Sequence, residues 1–338
     1  MLPLWYRSPR VTSTDPRIWV LADPRAGTAA QALGIAEAMA EPFRTIPLAW
    51  SRWAGLPIRW ATLAGLNGEC RAQFRPPWPR LVISAGRRSA PVALWLAGKG
   101  VRTVHCMDPG FARSRFDLLV IGRHDAPPAC ANIMPIVGAT HRMAPARLAA
   151  ARAEFAELGA LPRPRVALLL GGPVRAEGMD PAIATAIAEQ ARGLGASFLA
   201  SASRRTGAAA ADAVATSLEG TPHRLFRWGD AGPNPYAGFL AWADLLVVTG
   251  DSVSMLSESL ATTAPLLIAD PGGLGPRHRR LSESLIGVGL AAPLGAGTAP
   301  GPRAALDETG RVAAEARKLM HGGGAQAGPA AADTRKLV

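Results

Sequence analysis

The sequence has no apolar run long enough to cross a membrane. Its hydrophobic residues make up 49% of the chain but occur in short runs such as residues 116–121 and 244–249, whereas a membrane-spanning helix needs about 20 apolar residues in succession. The proline- and arginine-containing N-terminus also lacks the continuous apolar stretch of a secretory signal. We therefore expect a cytoplasmic protein, with peripheral contact at the inner membrane as its form of membrane association.

Cysteine is scarce as well. The three cysteines, Cys70, Cys106 and Cys130, show neither CxxC nor His-Cys spacing, which argues against a disulfide framework and against a zinc site. We expect a reducing compartment and no bound metal.

Lysine occurs only at Lys99, Lys318 and Lys336, so arginine supplies almost all of the positive charge behind the net charge of +12. An excess of this kind favours anionic partners. We expect a nucleotide sugar or another phosphorylated small molecule, and no nucleic acid. Abundant Arg, Ala, Gly and Pro is equally typical of a GC-rich coding sequence, and on that interpretation part of the charge has no function.

Two common nucleotide-binding motifs are missing. Residues 23–28, after the first predicted strand, contain a single glycine, so the GxGxxG turn of NAD binding is absent, and no GxxxxGK[ST] occurs anywhere. We expect no cofactor. Residues 250–254 come close to a nucleophile elbow, with Asp270 and His278 following in the order used by α/β-hydrolases. A hydrolase is therefore a minor alternative.

Short apolar strands alternate with helical stretches along most of the chain. Strands are predicted at 18–22, 81–83, 101–107 and 116–121, and a second series at 166–170, 197–200, 245–248 and 266–269. Such alternation indicates parallel βαβ units, and a Pro/Arg-rich linker at 161–165 separates the two series. We expect an α/β protein with two Rossmann-like, doubly wound domains facing a central cleft. The predicted divisions are a loose arm (1–16), an N-terminal domain (17–160), a C-terminal domain (161–320) and a disordered tail (321–338).

The most informative segment is 244–268, which is predicted as strand, glycine turn, hydroxyl-rich helix start and second strand. The free amides and the dipole of a helix start attract anions, and the hydroxyls of Ser252 and Ser254 add donors. Glu258, one turn further on, is placed to accept hydrogen bonds from sugar or ribose hydroxyls. The alternative is that Asp251 or Ser252 only caps the helix and Glu258 faces solvent.

This segment resembles the donor-binding strand-turn-helix of GT-B glycosyltransferases, such as the GlcNAc transferase of peptidoglycan synthesis. The resemblance implies that Ser252, Val253 and Ser254 hold a diphosphate and that Glu258 holds a ribose.

A closer resemblance extends from about residue 17 to residue 320. It is based on the blocks Trp19 to Gly27, Gln31 to Ala38, Ser84 to Pro91, Ser203 to Thr206, Asn234 to Tyr236 and Asp251 to Glu258. These blocks are similar to the bacterial branch of the mitochondrial-fission ELM family. The resemblance implies either a protein of the nucleotide-sugar type, formerly labelled epimerase-like, or a scaffold, since the plant members are adaptors for dynamin-related proteins. Pro24 stands where the family more often has glycine, and it removes one loop amide.

Other candidate residues follow predicted strands. Several are arginines, whose planar guanidinium group binds phosphate or carboxylate well. The alternative is that they are ordinary charged residues of exposed turns. The expected ligand-binding residues besides Asp251, Ser252, Val253, Ser254 and Glu258 are Arg25, Gly27, Gln31, Arg87, Arg88, Gly171, Gly172, Ser203, Arg204 and Arg205. If the protein is catalytic, its base is expected among Asp108, His124 and Asp125, with His141 as a further histidine at a strand end.

Tryptophans and arginines alternate between residues 50 and 80. Amphipathic tryptophan beside a cation is typical of contact with an anionic membrane surface. Trp53 and Trp60 are also seven residues apart on one helical face, and we favour core packing for them. Taken together, the sequence predicts a glycosyltransferase-like protein that binds a nucleoside-diphosphate sugar in the cleft for transfer to an envelope or lipid-linked acceptor. The alternative is a non-catalytic scaffold that acts through protein or membrane-surface contacts.

Overall fold

Two parallel β-sheets form the framework of the protein. The computed structural model describes residues 17–173, 178–297 and 300–322; the predicted arm and residues 323–338 of the predicted tail lie outside this range. The first sheet contains β1 (Ile18–Ala22), β2 (Phe43–Pro47), β3 (Leu81–Ala85), β4 (Arg102–Cys106), β5 (Leu118–Gly122) and β6 (Ile133–Ile136). Their order is β2-β1-β3-β4-β5-β6, and all neighbours are parallel.

The second sheet repeats this plan with a different strand order. Its strands are β7 (Arg165–Leu170), β8 (Ser197–Ala202), β9 (His223–Phe226), β10 (Leu245–Thr249), β11 (Leu266–Ala269) and β12 (Ala292–Pro293). Their order is β12-β11-β10-β7-β8-β9, again parallel throughout. Strand order reverses at β7 and β10, so the loops after these two strands form the edge where ligands bind in open α/β sheets.

Helices cover both faces of each sheet. They are α1 (Ala26–Met39), α2 (Gly68–Arg71), α3 (Ala90–Ala97), α4 (Pro145–Glu154), α5 (Pro181–Arg192), α6 (Ala208–Ser217), α7 (Tyr236–Trp242), α8 (Val253–Ser259), α9 (Pro276–Gly287) and α10 (Glu308–His321). Because both faces are covered, strands β1, β3, β5, β7, β8 and β10 are buried at every position. This burial explains why their sequences are continuous apolar runs.

Helix α10 returns to the first half of the chain. Its apolar residues Val312, Ala313, Ala316 and Met320 lie in the same core cluster as β1, β3 and α1, and the Arg317 guanidinium donates to the backbone oxygen of Met39 at 3.2 Å. The sequence division assigns residues 161–320 to the second half, whereas this helix packs in the first half because its buried face completes that core.

Five of the tryptophans that the structure describes in the first half differ clearly in their burial. Trp19, Trp78 and Trp95 pack edge to face with one another and with Phe74 on one side of the sheet. Trp53 and Trp60 are 51% and 62% exposed. The expected core packing is therefore wrong for these two residues, because Pro57 and the short 3₁₀ turn at Arg52–Gly55 replace the helix that would have put them on one buried face.

None of the helices that the structure describes combines the length and the apolar composition needed to span a bilayer.

Candidate functional site in the crevice between the halves

The loops after β7 and β10 are tied together by side-chain hydrogen bonds. The Gly171 amide donates to Thr249 Oγ1 at 2.8 Å, and the Gly172 amide donates to Asp251 Oδ2 at 2.6 Å. Both glycines are among the residues expected to bind a ligand. In the structure these amides are already used within the protein, and they fix the position of Asp251.

Asp251 presents an unpaired carboxylate oxygen at this edge. Its side chain is buried at 9% exposure, and among the described residues Oδ1 has no hydrogen-bond partner. Oδ1 packs against Gly171 so closely that any side chain at position 171 would collide with it. A buried carboxylate oxygen without a donor is costly. The arrangement therefore suits a ligand that donates a hydrogen bond.

The starts of α1 and α8 meet across the crevice. A Cβ placed on Gly27 would lie 2.9 Å from Ser254 Oγ, so a first-half residue and a second-half residue are in contact here. Helix α1 has no side-chain cap, and unpaired first-turn amides attract anions. Ser252 Oγ accepts from the Met255 amide at 3.4 Å, so Ser252 caps α8, and Val253 and Ser254 are only partly buried.

Glu258 lies on α8 and is bound by Tyr236. The tyrosine hydroxyl donates to Glu258 Oε2 at 2.7 Å. Burial raises the pKa of Glu258 to about 7, although the Tyr236 hydrogen bond and the nearby Arg147 guanidinium lower it. Burial and the Glu258 charge raise the pKa of Tyr236 well above its usual value. Glu258 is the residue predicted to bind a ribose, and its other oxygen, Oε1, takes no part in this bond. Tyr236 and Glu258 belong to two different sequence blocks of the family resemblance, so these two blocks are in direct contact.

Ser203, Arg204 and Arg205 follow β8. The Ser203 hydroxyl donates to the Gly171 oxygen at 3.0 Å and so supports the glycine loop. Arg204 is exposed and Arg205 is partly buried. Of the three, Arg205 lies close enough to the crevice to affect the pKa of His278 on α9.

The first-half carboxylates expected to act in catalysis are held by arginines. Asp108 accepts from Arg113 Nε at 2.8 Å and from Nη2 at 2.7 Å, and this contact lowers the pKa of Asp108. Asp125 pairs with Arg277 of the second half, with 2.7 Å between Oδ1 and Nε. Both carboxylates therefore have a fixed cationic partner.

His124 is the third candidate. It is buried, and neither ring nitrogen has a hydrogen-bond partner among the residues that the structure describes. Burial, together with the charges of Arg277, His278 and Arg280, lowers the pKa of His124 to about 4, although Asp125 acts in the opposite direction. Its backbone oxygen accepts from Arg280 Nε at 2.9 Å. His124 is therefore neutral at pH 7. His141 is also buried, and its Nδ1 accepts from the Met143 amide at 3.2 Å.

Helix α9 supplies Arg277, which sequence reasoning missed, and His278, which it named only for the hydrolase alternative. Burial and the charge of Arg277 lower the pKa of His278, while Asp251 and Asp125 raise it. His278 thus lies near one carboxylate of each half. The sequence feature that points to these residues is the basic stretch 277–280. It comes directly after the glycine turn that follows β11, and this turn resembles the other strand-end turns of the second series.

The remaining predicted residues lie in two places. The Arg25 amide donates to Asp23 Oδ1 at 2.8 Å, next to the start of α1, and Gln31 lines a small gap with His124 and Arg277. Arg87 and Arg88 instead line a separate cavity of the first half. The predicted set is thus divided between the crevice and that cavity.

Comparison with known proteins places these features in a family. The model of the mitochondrial fission ELM1 family matches residues 26–320. Mitochondrial fission protein ELM1 of Arabidopsis thaliana is 28% identical over 237 residues, which is 62% of this chain and 55% of that protein. The chain thus matches about half the length of the Arabidopsis protein. An uncharacterized protein of Rickettsia prowazekii is 25% identical over 315 residues, covering 80% of this chain and 88% of that protein.

Solved structures share the architecture at low identity. Spinosyn forosaminyltransferase SpnP aligns with a TM-score of 0.54 at 13% identity, covering 91% of this chain and 95% of that chain. Os79 from O. sativa, in complex with UDP, aligns with a TM-score of 0.50 at 14% identity, covering 90% and 91%. Together with the two parallel sheets, this likeness confirms the predicted GT-B-like fold.

Proposed function

The chain belongs to the mitochondrial fission ELM1 family, and from this premise we propose that it binds a nucleoside-diphosphate sugar in the crevice between its two halves. The main support is the buried Asp251 carboxylate, whose Oδ1 has no hydrogen-bond donor among the described residues. A sugar or ribose hydroxyl is a donor of the required kind. Os79, a structural relative, was solved with UDP bound.

The arginines and helix starts near Asp251 suit the anionic diphosphate of such a ligand. Arg205 and Arg277 both lie near His278, and the starts of α1 and α8 meet at Gly27 and Ser254. Guanidinium groups and free helix amides are the usual ligands of phosphate. In this proposal the diphosphate lies between these cations and the helix starts, and Glu258 Oε1 accepts from a second hydroxyl.

The contact between Gly27 and Ser254 also limits access. For a ligand to lie between the two helix starts, the halves must separate there, and hinge closure around ligands is common in two-domain proteins. The Asp125–Arg277 pair also joins the halves, beside Gln31 of α1 and His124. We propose that binding is accompanied by a small separation of the halves at Gly27 and Ser254.

We extend the proposal to transfer of the sugar to an envelope or lipid-linked acceptor. Of the three predicted catalytic residues, only His124 is neutral; its Nε2 lies 3.7 Å from Asp125 Oδ2, and neither ring nitrogen has a hydrogen bond among the described residues. A neutral imidazole is able to accept a proton from an acceptor group. In this proposal Asp125 positions the Arg277 side chain by its ion pair and is not the base. Asp108 is held in the same way by Arg113 and is not the base either.

A thermal-shift screen tests the binding proposal. Wild-type protein is heated with UDP-, GDP-, ADP- and CMP-sugars in turn. A ligand that binds only the folded state must raise the melting temperature, by the equivalent of about 2.7 kcal/mol at 100 times its Kd. We expect a rise with at least one nucleotide class and none with inorganic phosphate at the same concentration. No rise with any of the four classes at high concentration would contradict the proposal.

The second candidate function is a non-catalytic scaffold that acts through its surface. It is favoured by the exposed tryptophans Trp53 and Trp60 and by the name of the Arabidopsis relative, a mitochondrial fission protein. On this proposal the protein contacts anionic membrane peripherally through the Trp/Arg-rich stretch of the first half. Co-sedimentation with anionic vesicles, lost in a Trp53→Ser/Trp60→Ser variant, combined with a negative nucleotide-sugar screen, would favour the scaffold.

A further inference from the structure

The first half contains a cavity that the crevice does not use. Its volume is about 320 Å³, and it opens between the loop 50–65 and the start of α3. Apolar side chains dominate its lining, among them Trp50, Leu56, Ile58, Val92 and Phe111. The volume lies at the lower end of the range for small-molecule sites, about 300–1,000 Å³.

The polar part of the lining is cationic. Arg59, Arg87 and Arg88 contribute to it, and none of the lining residues is acidic. None of these three guanidinium groups has a hydrogen bond or ion pair with a residue in the described part of the chain. Asp108, whose pKa the charge of Arg87 helps to lower, is bound by Arg113 at 2.7 Å. Three arginines without a fixed partner at one cavity favour an anionic group.

The loop beside the cavity exposes apolar side chains. Trp53, Leu56 and Trp60 are 51%, 57% and 62% exposed, and the Arg52 guanidinium stacks over the Trp53 ring at 4.8 Å. Large apolar residues exposed together are unusual on a protein surface and mark sites of contact with an apolar partner. The cavity, its arginines and this exposed loop are neighbours in the structure.

We propose that this cavity binds a lipid phosphate, a single isoprenoid or alkyl chain ending in phosphate. The phosphate pairs with Arg59, Arg87 and Arg88, the first part of the chain enters the cavity beside Ile58 and Val92, and the remainder lies along Trp53 and Trp60. A free phosphate would leave the apolar lining empty, and a neutral lipid would leave the arginines unpaired. The inference rests on the proposed function only in that it gives a chemical class to the acceptor.

Farnesyl phosphate is a suitable probe, with farnesol and inorganic phosphate as the two partial ligands. Binding to wild-type protein is measured by isothermal titration calorimetry and by the intrinsic fluorescence of the tryptophans at and beside the cavity. We expect farnesyl phosphate to bind at least ~10-fold more tightly than either partial ligand, because each lacks one of the two kinds of contact.

Two variants locate the site. Arg87→Gln/Arg88→Gln is expected to weaken farnesyl phosphate binding by ~10-fold or more. The matched control Arg80→Gln/Arg115→Gln removes the same charge from exposed positions at the amino edge of the same sheet and should leave binding within about twofold, since distant exposed charges are screened. Ala54→Trp fills the cavity and is expected to abolish the advantage over inorganic phosphate.

The following results would overturn the inference: equal binding of farnesol and farnesyl phosphate, equal losses in the two arginine pairs, or binding to anionic vesicles that Ala54→Trp does not affect. The last result would indicate a membrane surface contact in place of a cavity ligand. No nucleotide sugar is present in this experiment, and Ala54 is not at the crevice. Failure here is therefore distinguishable from failure of the nucleotide-sugar screen.

Discussion

At the scale of single residues, the Asp251 side chain is the main evidence that the crevice binds a ligand. One of its carboxylate oxygens accepts from the Gly172 amide, and the other is buried with no partner among the described residues. A protein gains no stability from such an oxygen. Its cost is explained if a ligand supplies the missing donor, since buried polar groups in native proteins are nearly always hydrogen-bonded.

Replacing Asp251 with asparagine tests this interpretation. The amide oxygen of Asn keeps the bond from Gly172, but the amino group cannot accept from a sugar hydroxyl. We expect nucleotide-sugar affinity to fall by ~10-fold or more, with little change in melting temperature because the hydrogen bond from the Gly172 amide is kept. Calorimetric titration and thermal unfolding give the two values.

Asp244→Asn is the matched control for Asp251→Asn. Asp244 lies at the opposite end of β10, where it accepts from Arg165 Nε at 3.0 Å. This variant should lose stability because it breaks an ion pair, and it should keep nucleotide-sugar affinity. Equal affinity losses in both variants would show that Asp251 acts through stability alone.

Glu258 predicts a pH dependence of stability. Its pKa is raised from 4.5 to about 7 in the folded protein, so between these values the folded state binds more protons than the unfolded state. The contribution of this residue to the free energy of unfolding therefore falls as pH rises through that window, by at most ~1.4 kcal/mol per pH unit.

The Glu258→Gln variant isolates this contribution. Gln keeps an acceptor for the Tyr236 hydroxyl and has no charge to lose. Relative to wild type, the variant should gain stability steadily between pH 4.5 and about 7. Urea unfolding measures the free energy of unfolding of both proteins across this range. The buried histidines titrate in both proteins, so their contribution cancels when the two free energies are subtracted. A difference that is constant with pH would contradict the raised pKa.

Sequence reasoning identified several of these residues but not their partners. Ser252 was recognised as either a phosphate donor or a helix cap, and its bond to Met255 shows that it caps. The Tyr236–Glu258 bond joins residues 22 positions apart, and no local pattern predicts such a contact. The unpaired Oδ1 of Asp251 depends on the approach of β7 to β10, which only the folded sheet reveals.

At the scale of the elements, α1 depends on a close approach at Gly34. A Cβ at this position would collide with the backbone oxygen of His141, and backbone cannot move as a flexible side chain can. We expect Gly34→Ala to lower the free energy of unfolding by about 1–3 kcal/mol, measured by urea denaturation. Gly287→Ala on α9, with no atom within 4 Å of the new Cβ, is the control and should leave stability unchanged or raise it by up to ~1 kcal/mol. Equal losses would contradict the close packing of α1.

The central strands were predictable and the edge strands were not. Every strand expected from an apolar run is present, because strands covered on both faces must be apolar throughout. The missed strands β2, β6, β9 and β12 include the outermost members of both sheets. Residues of β9 are exposed or only partly buried, so their sequences show neither continuous apolarity nor clear alternation.

At the scale of the whole molecule, several contacts join the halves besides the approach of Gly27 to Ser254. Helix α10 returns to the first core, and Arg277 of α9 pairs with Asp125. The linker at 161–165 was predicted from its prolines and arginines. The return of α10 was not, because an amphipathic helix at the end of a chain fits either core equally well in sequence terms.

The Arg277 contact across the crevice has a measurable electrostatic effect. Because Arg277 is among the charges that lower the pKa of His124, Arg277→Gln should raise that pKa above its value of about 4. Histidine side-chain NMR titration measures it. Arg279→Gln, on the same helix and without an effect on the pKa of His124, is the control and should leave the value unchanged. An unchanged pKa in Arg277→Gln would show that α9 and His124 are not in contact in solution.

The most direct test of the central claim is hydrogen–deuterium exchange measured by mass spectrometry, with and without the nucleotide sugar selected by the thermal-shift screen. A ligand in the crevice must protect peptides from both halves together: residues 23–34 around the start of α1, and residues 171–173 and 249–259 at the edge of the second sheet. Protection of both groups, reduced in Asp251→Asn, is the predicted result. Protection limited to residues 50–65 and 87–92, or to one half only, would contradict a nucleotide-sugar site between the two sheets.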